Sequence, residues 1–142
     1  MKEKSCGTIP YTVDNGVVRY LLIKNKRGGA CGFPKGHVED GESEIETALR
    51  ETVEETSVTP VINSDFRYEM SYKMGNGNYK TVVYFLGEFH GMTPRRNGSF
   101  EDFDYRILPY DQARRILTFD NAKAMLDEAN GFLMKHGLVA RR

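Results

Sequence analysis

The 142-residue sequence predicts an α/β (α+β) protein: an α/β/α sandwich on a central mixed sheet. Three observations carry that expectation. Strand-like and helix-like segments follow one another in the order β–β–β–α–β–β–β–α. Asn15-Gly16 is a tight-hairpin signal between the first two strands. Two segments have the apolar spacing of helices that lie on a sheet.

Taken in order, 5–13 (SCGTIPYTV) and 17–24 (VVRYLLIK) read as strands joined by that turn. A glycine-rich basic loop covers 25–32, and 33–38 (FPKGHV) reads as a short irregular strand. Ser43 is the expected N-cap of a helix from Glu44 to Thr56, with Glu46 completing a capping box. The apolar set Ile45, Ala48, Leu49, Thr52 and Val53 predicts its buried face. Strands follow at 61–73 and 79–88 around a turn at Met74–Asn78, then a loop over 91–100 and a strand at 102–108. Pro109–Leu117 predicts a short helix or turn. A last helix at 120–136 has Asp120 as expected N-cap, Ala122, Met125, Leu126, Ala129 and Leu133 as its inner face, and Gly137 as its stop.

Composition bounds the function. Apolar residues at 39% and charged residues at 28% fit a soluble globular chain, and the length fits one domain over 1–142. No run approaches the roughly 20 apolar residues of a membrane span. Met1–Ser5 leads straight into a strand pattern without an export signal. Two cysteines, Cys6 and Cys31, without CxxC spacing predict neither a disulfide framework nor a cysteine zinc site, so a cytoplasmic protein is expected. Zero net charge argues against broad nucleic-acid binding, and no stable nucleic-acid complex is expected. That zero conceals a local imbalance. Glu39, Asp40, Glu42, Glu44, Glu46, Glu51, Glu54 and Glu55 lie close together with Arg50 as the one base among them.

With successive helical residues about 100° apart, Glu51, Glu54 and Glu55 share one sector, with the apolar set expected opposite. Like charges three and four apart repel by roughly 0.2–0.5 kcal/mol per pair. The helix alone leaves two readings open, a solvated acidic face and a hard-cation site, since clustered carboxylates suit Mg²⁺ or Mn²⁺.

The surrounding residues decide. Gly36-x5-Glu42-x7-Arg50-Glu51-Thr52-x-Glu54-Glu55-x-Ser57-Val58 resembles the Nudix box of the Nudix hydrolases. Every charged position matches. Thr52 stands where an aliphatic residue is usual, and Ser57 where a glycine follows the helix, a position that often needs positive φ. The resemblance implies that Glu51, Glu54 and Glu55 hold Mg²⁺ (or Mn²⁺), with the Gly36 carbonyl as a further ligand. It implies that Glu42 and Arg50 pair and hold the acids in place. The ions would stabilise the leaving phosphate and activate a water. The general base stays open between the box glutamates, Glu54 among them, and a later acid, Glu101.

The flanks are more specific. Phe33-Pro34-Lys35-Gly36-His37-Val38-Glu39, Ser5-Cys6-Gly7, Glu69-x-x-Tyr72, Lys80-Thr81-Val82-x-Tyr84 and Ser99-x-Glu101 before Tyr105-Arg106 look like the asymmetric dinucleoside tetraphosphate hydrolases, which cut diadenosine tetraphosphate into ATP and AMP. That likeness implies phosphate binding by Lys35 and Lys80, base stacking by Tyr84, a further ligand or base at Glu101, and a second ring at Phe119. Each has a plainer reading: Tyr84 as core, Lys80 as a solvated edge charge, His37 as a loop hydrogen-bonding residue, Arg95-Arg96 as solvated loop. The implied partner is a small nucleotide. Rival substrates are the 5′ end of RNA, an inositol pyrophosphate, a nucleotide sugar or a nucleoside triphosphate. The rival class is a nucleotide-sensing module without catalysis, which keeping all the box acids disfavours. Oligomeric state is not encoded legibly.

Overall fold

The computed structural model of the chain describes residues 2–26, 28–95 and 103–136. Strands β1 (Lys2–Asp14) and β2 (Val17–Asn25) form the expected hairpin, with Asn15 and Gly16 both at positive φ, 52° and 79°. They pair from Tyr11↔Tyr20 to Asp14↔Val17. Further along they part, and β3 (Cys31–Gly32) and β4 (Lys35–His37) enter the split. β3 pairs with β2 at Ile23 and Lys24, and β4 pairs with β1 at Ser5 to Gly7. Of the segment expected as one irregular strand over 33–38, only Lys35–His37 is strand, and β3 forms at the end of the stretch expected as a glycine-rich loop over 25–32. Pro34 sits between them, where it has no N–H to give to a ladder. Its carbonyl instead accepts from the Thr8 N–H at 3.2 Å. A Cβ at Gly7 would collide with that carbonyl, so β1 must be bare at this position for the segment to enter.

On its other side β1 runs parallel to β6 (Tyr79–Glu88), which pairs antiparallel with β5 (Val61–Lys73). β7 (Phe103–Pro109) pairs antiparallel with β2. Together the described strands make one mixed seven-stranded sheet. Helix α1 (Glu44–Thr56) covers one face through a cluster of Cys6, Ala48, Val83 and Phe85. Helices α2 (Tyr110–Ile116) and α3 (Asp120–Lys135) cover the other, where Met125, Leu126, Ala129 and Leu133 pack on Ile9, Tyr20, Leu22, Val82 and Leu86. The α/β/α sandwich is the architecture that the element order predicts. Among the described residues no helix is long and apolar enough to cross a membrane, and Cys6 and Cys31 are buried free thiols.

Two helix expectations need correction. The N-cap of α3 is Phe119, with no side-chain cap, and Asp120 is the first helical residue. There its charge still favours the positive end of the helix dipole. Gly137 lies outside the described residues. In α1 the capping box is present, with Glu46 N–H donating to Ser43 Oγ at 3.1 Å and Ser43 N–H to Glu46 Oε1 at 2.8 Å. Its buried face is Thr47, Ala48, Thr52 and Thr56, so only Ala48 and Thr52 of the expected set are fully buried. Ile45 is 41% exposed, and Leu49 and Val53 are half-buried. Small and β-branched residues allow close approach to the sheet, and the threonine hydroxyls are satisfied internally. Thr52 Oγ1 donates to Ala48 O at 2.8 Å and lies 2.7 Å from Thr8 Oγ1; Thr56 Oγ1 donates to Thr52 O at 2.7 Å. The helix is thus rolled so that Glu51 and Glu55 flank the sheet-facing side, and not the side opposite the core.

The last turn of α1 is closed by its own cap residue and by two tertiary partners. Ser57 N–H donates to Val53 O (2.8 Å), Tyr105 Oη to Glu55 O (2.7 Å) and Arg95 N–H to Thr56 O (2.9 Å). Ser57 has φ 61°, the left-handed conformation that the missing glycine would adopt freely, and its buried Oγ has no hydrogen-bond partner among the described residues. Ser57→Gly removes both costs and is expected to stabilise the fold by about 1 kcal/mol, read as a rise of about 2–5 °C in thermal midpoint. An unchanged or lower midpoint would show that the serine is at ease there.

Candidate active site

The acidic helix and the segment in the sheet split meet at Gly36. A Cβ built there would fall on the carboxyl group of Glu51, so Glu51 rests against the main chain of β4 and only glycine is compatible with it. Glu55, one turn on, accepts from the Lys35 N–H at 3.2 Å through Oε1. Two successive residues of β4 thus face two acids of α1.

Arg50 organises the rest. Its Nε and Nη2 grip Glu42 in a fork at 2.6 and 3.0 Å, and Nη2 also donates to the His37 carbonyl at 3.0 Å. Nη1 donates to Glu51 at 2.9 Å and Glu54 at 3.1 Å, and lies 3.7 Å from Glu39. Glu42 is further held by the Glu39 N–H and the Thr47 hydroxyl. The pairing of Glu42 with Arg50 is as the Nudix-box pattern implies; the extension to Glu51 and Glu54 is additional and relieves the repulsion expected along the helix. The hydrogen bonds from Arg50, then those from the Glu39 amide and Thr47, hold the Glu42 carboxyl at about 2, below its ordinary 4.5. Burial pushes the Glu51 carboxyl the other way, upward, against the pull of Arg50.

Among the described residues no three acids converge on one point. Glu51 and Glu54 lie on Arg50, and Glu55 on the Lys35 amide. The donor set nonetheless fits a hard divalent cation. It is all oxygen, carboxylates beside the main chain of Gly36, and Glu51 is seated against that glycine.

From Glu55 and Lys35 a cleft of about 540 Å³ runs along the α3 face of the sheet. Its floor is Val82, Tyr84 and Met70, and its walls are Phe33, Tyr72, Phe103 and the start of α3 at Phe119, Asn121 and Ala122. Tyr84 is 6% exposed and meets Phe33 edge to face, 6.4 Å between centroids at 72°. Phe119 and Tyr72 are 59% and 41% exposed. Lys80, the cross-strand partner of Tyr72, is partly buried; that burial, then the neighbouring Lys35 charge, lowers its ammonium pKa. The floor is apolar and the walls are aromatic, the inner end carries acid and base, and the size suits a nucleotide-sized ligand.

A NUDIX domain model matches residues 7–128. The chain belongs to the Nudix family. It is 36% identical, over 94% of its length and 97% of the relative, to the asymmetrical bis(5′-nucleosyl)-tetraphosphatase of Rattus norvegicus, and 36% identical over the same shares to that of Sus scrofa. The crystal structure of a C. elegans Ap4A hydrolase binary complex superposes with a TM-score of 0.85 at 26% identity, covering 94% of this chain and 98% of that one. This chain is therefore a Nudix pyrophosphohydrolase, an enzyme that hydrolyses nucleoside polyphosphates.

In this Nudix hydrolase Gly36, Glu51 and Glu55 are brought together, with Lys35 beside them. Glu54 is on the outer side of Arg50, its side chain 52% exposed. Phe119 and Tyr84 line one cleft from opposite elements, and Lys80 stands beside Lys35. Glu101 and Arg96 lie outside the described residues. Sequence reasoning gave no role to Phe33, although it adjoins the Pro34-Lys35 element. Tyr72 could have been found by its register opposite Lys80. Gly7 and Tyr105 act through contacts that no local pattern signals.

Gly36→Ala is expected to displace Glu51 and to reduce activity far more than it reduces thermal stability. Activity near wild type would mean that Glu51 need not approach β4. A second expectation concerns acid. Arg67 grips Glu44 at 2.9 and 2.8 Å with Lys4 alongside, and this holds the Glu44 carboxyl, like Glu42, at about 2 against an ordinary 4.5. Because folded-state values are depressed, their contribution is complete above pH 4.5 and is lost as pH falls towards 2. Denaturant titrations across that window should give a shallower pH slope for Glu44→Gln; an unchanged slope would remove Glu44 from the account.

Proposed function

We propose that this Nudix hydrolase cleaves diadenosine tetraphosphate asymmetrically, to ATP and AMP, with Mg²⁺ as cofactor (Mn²⁺ substituting). The observation that carries the reading is the aromatic cleft that ends at Glu55 and Lys35. It offers one end to a base and the other to a polyphosphate, and the relatives named above are called tetraphosphatases of this kind.

Glu51, Glu54, Glu55 and the Gly36 carbonyl would hold the divalent ion, which when bound neutralises phosphate oxygens and lowers the pKa of a water. Arg50 and Glu42 position those acids, Arg50 by donating to Glu51 and Glu54, and Glu42 by fixing the guanidinium plane. Lys35 and Lys80 supply positive charge to the phosphate chain, their mutual repulsion being relieved when the anion lies between them. Tyr84 gives the cleft its apolar floor, while the exposed rings of Phe119 and Tyr72 are free to stack on adenine. Glu54, the most exposed of the box acids, can accept a proton from water; Glu101 is the alternative base. Two buried thiols suit a reducing cytoplasm, and the single sheet, with the family match over 7–128, supports one domain.

Incubation with diadenosine tetraphosphate and Mg²⁺, with products resolved by chromatography and a 5′-triphosphorylated RNA in parallel, tests the substrate. Equal ATP and AMP, abolished by chelator, supports the proposal. Two ADP, or turnover of the RNA alone, would overturn it. Glu55→Gln and Glu54→Gln should each lower kcat by about 100-fold or more while circular dichroism stays native. Near-wild-type turnover in either variant would strike that acid from the metal and base assignments.

A further inference from the structure

The linker between α2 and α3 is held by buried Leu117 and tied to β3, at the side of the cleft, by Thr118. Leu117 and Phe119 are extended, at φ −59°, ψ 134° and φ −106°, ψ 141°. Leu117 is 2% exposed, and Phe119, two residues on, is 59% exposed at the cleft mouth. Between them Thr118 makes a reciprocal pair of hydrogen bonds with Cys31. Thr118 N–H donates to Cys31 O at 3.2 Å, and Cys31 N–H donates to Thr118 Oγ1 at 2.7 Å. Cys31 lies in β3, lines the cleft, and is 4% exposed. Its amide would have little access to water if the hydroxyl were removed.

We propose that Thr118 is a positioning residue, whose latch on Cys31 holds the Phe119 ring at the base-binding end of the cleft. The inference rests on reading that end as the adenine site. The first turn of α3 fixes the Phe119 carbonyl, which accepts from the Ala122 and Lys123 N–H groups at 3.1 Å, and the latch fixes the main chain on the other side of the residue. Without the latch, the main chain that carries the exposed ring would sweep a wider region and be ordered only when ligand arrives, at a cost in affinity. The latch joins the linker to the same strand segment that leads to Phe33, Lys35 and Gly36. Two walls of the cleft, at Phe119 and Phe33, and its phosphate end thus share one support. Latch and ring are adjacent in sequence, so their effects can be separated only by removing each in turn.

The test uses the intact chain carrying a para-fluorophenylalanine at 119, with ATP and inorganic tripolyphosphate as probes and chelator present so that neither is turned over. Thr118→Val keeps the shape and removes the acceptor. It is expected to broaden or shift the fluorine resonance and to weaken ATP about two- to ten-fold, with tripolyphosphate unchanged. Thr118→Ser restores the hydroxyl and should restore both readings. In a Phe119→Ala background, made without the label, Thr118→Val should cost no further affinity for ATP. The proposal is overturned by an unmoved fluorine signal in Thr118→Val. It is equally overturned by unchanged ATP affinity, by a loss shared with tripolyphosphate, or by a loss that persists without the Phe119 ring. Wild-type protein that binds ATP no tighter than tripolyphosphate would instead sink the adenine reading, and the fluorine signal would then decide on the latch alone.

Discussion

The contact of the Glu51 carboxyl group with the main chain at Gly36 is the constraint on which the rest of this structure turns. To satisfy it, a helix on one face of the sheet must lie almost on a strand of that sheet. Several unrelated features serve that approach. β1 and β2 separate to admit β4, Gly7 leaves room for the Pro34 carbonyl, and α1 meets the sheet through alanine and threonine, not through its larger aliphatic residues. Any of these could be called a packing detail. Together they bring an acidic helix within one hydrogen bond of β4.

Electrostatics complete what packing begins. Carboxylates gathered on one helix would repel, and a partly buried one would sooner be neutral. Arg50 answers both problems because its planar guanidinium offers several donors at fixed angles. One edge is taken by Glu42 and the His37 carbonyl, which leaves Nη1 for Glu51 and Glu54. A lysine would supply the charge without the geometry. The arginine also cannot lose its proton at any ordinary pH; Glu42, foremost among its partners, raises its pKa further still.

Much of this was legible in the residues, and the parts that were not have identifiable causes. The bounds of α1 follow from a capping box, a local device, and the structure has it where expected. The spacing of the acids, and the pairing of Glu42 with Arg50, are written in the box itself. Ala48 and Thr52 belong to the expected face of α1, but Thr47 and Thr56 were missed because hydropathy counts threonine as polar. Both are fully buried, with their hydroxyls bonded nearby, to Glu42 and to the Thr52 carbonyl. The two short strands at 31–32 and 35–37 depend on pairing with β2 and β1, which sequence spacing does not register. The cleft lining comes from β3, β5, β6, β7 and the start of α3 at once, so Tyr72 and Phe33 acquire meaning only after assembly. The hydroxyls of Tyr105 and Thr118 bond to main-chain atoms 50 and 87 residues away, and no motif announces either.

The paired hydroxyls of Thr8 and Thr52 have a consequence for how this sequence could have changed over time. They meet at 2.7 Å in a fully buried contact between β1 and α1, at a box position where this chain departs from the usual aliphatic residue. A valine at 52 alone would strand the Thr8 hydroxyl, and a valine at 8 alone would remove a partner from Thr52. Both together would leave a dry apolar contact of nearly the same shape. The two positions are epistatic: each constrains what the other tolerates, and a lineage passing between the aliphatic and hydroxyl forms would cross a less stable intermediate or change both at nearly the same time.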